Sequence, residues 1–92
     1  MDVTQKLAAT REELSFINDQ LSTQEESTDV ASLKSAVAET PLASAELNNA
    51  KETVEGIRRA RATVEESILE LEAAQGELLE QLLESGTNPD VS

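Results

Sequence analysis

Residues 47–82 read LNNAKETVEGIRRARATVEESILELEAAQGELLEQL, and within them Leu47, Ala50, Val54, Ile57, Arg61, Val64, Ile68, Leu71, Gln75, Leu78 and Leu82 recur at alternating steps of three and four. Such steps average about 3.5 residues, close to one helical turn, so these side chains make a single stripe along a helix, the seam of a coiled coil. With Leu47 at a heptad a position, Leu47, Val54, Arg61, Ile68, Gln75 and Leu82 are the a set. Ala50, Ile57, Val64, Leu71 and Leu78 are the d set. A second seam runs upstream through Val3, Leu7, Thr10, Leu14, Ile17, Leu21, Gln24 and Thr28, with Val3 at d.

Between the two seams stands Thr40-Pro41. Threonine is a good N-cap, and proline suits the first helical position, where its missing N–H costs nothing and its fixed φ is already helical. A helix therefore starts at Pro41. Gly86 followed by Pro89 has the order of a C-terminal stop, which ends this helix near Ser85 and leaves 86–92 as a flexible tail. Upstream, residues 2–39 read as the first helix. Glu26-Ser27-Thr28-Asp29 is a weak spot that either kinks it or caps a separate helix over 30–39. The expectation is one all-α domain over residues 1–85, an antiparallel helical hairpin turning at 40–41.

Folding one seam on the other suggests a register. Setting Val3 opposite Leu82, Leu7 opposite Leu78, Leu14 opposite Leu71, Ile17 opposite Ile68 and Leu21 opposite Val64 makes every a residue meet a d residue. It also puts Thr10 against Gln75 and Gln24 against Arg61, polar layers of the kind that fix register at a cost in stability. At the e positions Arg11 comes beside Glu72, and Glu25 beside Arg58.

Composition agrees with helices. The 92 residues include 12 Ala and 12 Leu but one Phe and no Trp or Tyr, so the β-branched and aromatic supply of a sheet protein is missing. With neither Cys nor His, disulfides, thiolate or imidazole metal sites and His- or Cys-based catalysis are all unavailable. Paired acids such as Glu12-Glu13 and Glu65-Glu66 read as a solvated helix face, since no carboxylate stands in the seam. No catalytic residue, cofactor, metal or small-molecule substrate is expected, and the chain is not read as an enzyme. The net charge of −12 repels nucleic acid and anionic lipid. The first residues lack the basic and apolar regions of a signal peptide, and no run is apolar enough to span a membrane, so a cytoplasmic protein is expected.

Function must then lie in binding. In the register above Val30, Leu33 and Val37 point away from the seam. Along the g side of the second helix Thr53, Ala60, Ser67 and Ala74 are small, and the lone aromatic, Phe16, sits at a c position on the same side of the first helix. Small residues let another helix come close, so a second hairpin is expected to dock along Ala60, Ser67 and Ala74, with Phe16, Val30 and Val37 filling the space. The only basic cluster, Arg58, Arg59 and Arg61, either pairs with Glu25 and nearby acids of its own hairpin or contacts the acidic end of a second copy. The expected partner is a homodimer completing a four-helix bundle, or else another helical protein.

The segment Ala38-Glu39-Thr40-Pro41-Leu42, followed by a Glu-rich Ala/Leu/Arg helix, resembles uncharacterised small bacterial coiled-coil proteins, which implies a helical hairpin and no activity. The length and central bend are also similar to the WXG-type secreted hairpins, although the turn lacks Trp-x-Gly and the C-terminal part lacks Tyr. A self-associating adaptor or scaffold is the leading expectation. A WXG-like secreted hairpin or secretion chaperone, and an acidic regulator of a nucleic-acid enzyme, are the alternatives.

Overall fold

The computed structural model describes residues 2–87 and contains two helices, α1 (Val3–Ala38) and α2 (Pro41–Thr87), packed along each other as an antiparallel hairpin about 78 Å long. Each boundary has a local cause. Asp2 caps α1: its carboxylate accepts from the Gln5 N–H at 2.8 Å, and its own N–H donates to Gln5 Oε1, a reciprocal capping box. At the other end Glu39 turns left-handed, with φ of 50°, and its N–H donates to the Ser35 carbonyl. The chain reverses at Glu39 and Thr40. Thr40 Oγ1 then accepts from the Ala43 N–H at 3.2 Å, capping α2 in front of Pro41 as anticipated.

One of two alternatives for the first helix falls away, and one bound of the second is revised. α1 runs unbroken through 26–29, where the Thr28 hydroxyl donates to the Gln24 carbonyl, four residues back, instead of ending the helix. α2 continues through Gly86 to Thr87, past the expected stop at Ser85, because no described glycine takes the left-handed conformation a glycine cap requires. The remainder of the expected tail, 88–92, lies outside the described residues.

The core is the seam. Leu7, Ile17, Leu21, Ala43, Val54 and Val64 are buried, and Val3, Thr10, Leu14, Gln24, Thr28, Ala31 and Ser35 are half-buried on α1, so the whole first seam faces α2. Its register differs from the one that matches leucine with leucine. Gln75 Nε2 donates to Thr4 Oγ1 at 3.3 Å, and Leu14 lines a shared surface groove with Glu65, Ile68 and Leu69. The helices have slid by one heptad. Counting back from the link between Ala38 and Pro41 sets Leu7 about level with Leu71, Leu14 with Val64 and Leu21 with Ile57, and leaves Leu78 and Leu82 past the start of α1, where they are 47% and 68% exposed.

The cause is the turn. With only two residues between the helices, Ala38 and Pro41 must lie side by side, and that fixes every layer behind them. The expected register centred the hairpin between Leu42 and Ala43, inside a helix already begun at Pro41. Polar seam residues do not hold the expected register: Thr10 Oγ1 donates to the Lys6 carbonyl at 2.7 Å, Arg61 pairs with Glu65 at 3.7 Å, and Gln75 reaches Thr4 instead of Thr10. Among the described residues no buried side-chain nitrogen or oxygen lacks a hydrogen-bond partner.

Candidate interaction surfaces

The seam divides the hairpin surface into two flanks and a protruding end. One flank is polar. Arg11 meets Glu72 at 3.3 Å and Arg58 meets Glu25 at 3.4 Å, the two e-position pairs expected from the sequence. Both survive the slide because long side chains lean toward the N-terminus of their own helix, so in an antiparallel pair they reach toward each other across the level line. All four side chains are about half exposed, which limits each pair to about 0.2–1 kcal/mol. A shallow groove lies beside the second pair, lined by Thr28, Asp29, Lys51 and Glu55 among others.

The opposite flank carries exposed apolar side chains among polar ones. Phe16 is 63% exposed and shares a groove with Ile57 and with the polar Asp19, Gln20, Thr23, Gln24 and Thr53. Further along, toward the turn, Val30, Leu33, Val37 and Leu42 are exposed, Val37 at 85%. On α2 Ala60 is exposed, while Ser67 and Ala74 are half-buried beside the seam. The stripe and the aromatic thus stand on one side of the rod, and neither belongs to the hairpin's own core.

The three arginines have different surroundings. Arg58 and Arg61 hold ion pairs within the chain, to Glu25 and Glu65. Arg59 has no ion pair among the described residues, and its guanidinium lies over Gly56, 3.9 Å from where a Cβ would stand.

The protruding end was not foreseen. α2 has 47 residues against 36 in α1, and its last three turns carry Leu78, Leu79, Leu82 and Leu83, all exposed. In the expected register Leu7 and Val3 cover Leu78 and Leu82, which leaves no open face at this end. The signal was present in the distance from Pro41 to Leu83, which exceeds that from Ala38 back to Val3.

Among the described residues no group of three or more His, Cys, Asp or Glu is placed to hold a metal ion, and no helix is long and apolar enough to cross a membrane. No protein-family model, curated protein or solved structure matches the chain.

Proposed function

We propose that the chain is a non-enzymatic interaction module of the cytoplasm, a helical hairpin that pairs with a second copy through its apolar flank and serves as an adaptor or scaffold. The observation that carries this reading is the placement of Phe16, Val30, Val37 and Leu42, which are exposed together on the flank opposite the ion pairs. Scattered apolar residues are normal on a surface, whereas Phe16 stands beside the small residues of α2, and Val30 and Val37 continue its line of c positions toward the turn, the form of a helix-packing face.

A two-fold axis at Ser67 sets Ala60 of one copy against Ala74 of the other, since the two lie seven residues either side of it. The same arrangement brings Arg59 toward the Glu-rich end of the second copy and offsets part of the repulsion between chains of charge −12. Substituting Phe16→Glu tests the reading. It removes apolar contact area and adds charge to the flank without touching the seam, so self-association weakens while helicity by circular dichroism is retained. An unchanged mass with that variant returns Phe16 to an ordinary surface residue.

A further inference from the structure

We propose that the protruding end of α2 holds a basic amphipathic helix from another protein, seated where α1 stops. Three facts lead there. The face is continuous with the α1–α2 seam: Leu78 and Leu82 hold the d and a positions that, further back along α2, are covered by α1. At about 100° per residue, Leu79 and Leu83 widen the stripe on one side, so the four leucines cover well over a third of the helix surface. Nor is the face a frayed continuation of the hairpin, because the Asp2–Gln5 capping box closes α1 just before the level of the exposed Leu78.

Charge selects the occupant. From Ala62 to Ser92 the sequence has eight acids and no Lys or Arg, and on the protruding turns Glu80 borders the leucine face while Glu77 lies further round. A helix with leucine at its own a and d positions and Lys or Arg at its flanks matches both properties. Two such ends laid together match only one, since they confront acid with acid and no base, and a copy paired along the Ala60–Ser67–Ala74 stripe approaches from the other side of α2 and leaves Leu79, at the same heptad position as Glu72, open. This surface is separate from the apolar flank, and the two fail independently.

The test uses the full chain and a synthetic probe, a fluorescently labelled helix of about two heptads with Leu at a and d and Lys at e and g. Anisotropy titration is expected to show binding that weakens with salt, is lost when Glu replaces Lys in the probe, and weakens about tenfold or more in Leu79→Ser/Leu82→Ser. Those two positions lie beyond α1, so circular dichroism of the variant stays helical and its mass stays that of the wild type. Leu42→Ser, an exposed leucine at the turn, is the matched control and binds as wild type does. Equal binding to the double variant, equal loss in the Leu42 control, or equal binding of the Glu probe overturns the proposal. A fall in mass of the double variant also overturns it, by assigning the face to a second copy.

Discussion

Thr4 and Gln75 meet across the hairpin, amide to hydroxyl at 3.3 Å, and that contact marks a register one heptad away from the pairing that best matches leucine to leucine. A heptad slide conserves every a-to-d meeting, so periodicity alone is indifferent to it. What decides is chain connectivity, because a two-residue link between Ala38 and Pro41 cannot accommodate the longer-reaching alternative.

Cysteine pairs read this directly. Leu14→Cys with Val64→Cys is expected to close an intramolecular disulfide under mild oxidation at low protein concentration. Leu14→Cys with Leu71→Cys, about 10 Å out of level along the axis, is not. Thiol mapping by mass spectrometry separates the two, and the reverse result restores the leucine-matched register.

Burial predicts where stability is concentrated. Leu7 and Leu21 are 2% and 4% exposed, so Leu21→Ala is expected to cost about 2–5 kcal/mol in a urea melt. Val37→Ala changes stability by about 0.5 kcal/mol or less when measured on dilute protein, where intermolecular contacts do not contribute. Similar costs at the two positions would contradict the burial pattern.

The turn has its own signature. Glu39 is left-handed without being glycine, a conformation that costs most L-residues about 1 kcal/mol or more, so Glu39→Gly is expected to raise the melting midpoint slightly. Thr40→Ala removes the cap on α2 and is expected to lower stability by about 1 kcal/mol. Equal effects of the same sign would show that the turn is not held as described.

Much of this hairpin could be read before any coordinates, and the misses share one origin. Thr40-Pro41 placed the start of α2, the two 3,4 series placed the seams, and Arg11–Glu72 and Glu25–Arg58 were found as pairs. Those features depend on spacing within a helix or on residue type at a cap. The register, and with it the open face at Leu78 and Leu82, depends on the reach of the link between helices, which hydrophobic spacing does not encode. Gly86 misled for a related reason: glycine permits a left-handed stop without compelling one. The surface residues Phe16, Val30, Leu33 and Val37 were separable from the seam because heptad position alone tells which side of a helix a residue occupies.

The small-residue stripe makes a steric prediction. Ser67→Trp inserts a bulky side chain where two backbones are proposed to approach, and is expected to split the assembly while leaving each hairpin helical. Because Ser67 is half-buried beside the seam, Ala60→Trp, at an exposed position of the same stripe, serves as the independent variant. Retention of the assembled mass by both places the second copy elsewhere.

The central claim, that this hairpin works by pairing with a second copy, is tested most directly by its mass in solution. Sedimentation equilibrium or light scattering over a concentration series into the high micromolar range is expected to give a chain mass that doubles from 9.9 kDa, with helicity unchanged. A protein that stays at the mass of one chain across that range, with its helicity intact, contradicts the account.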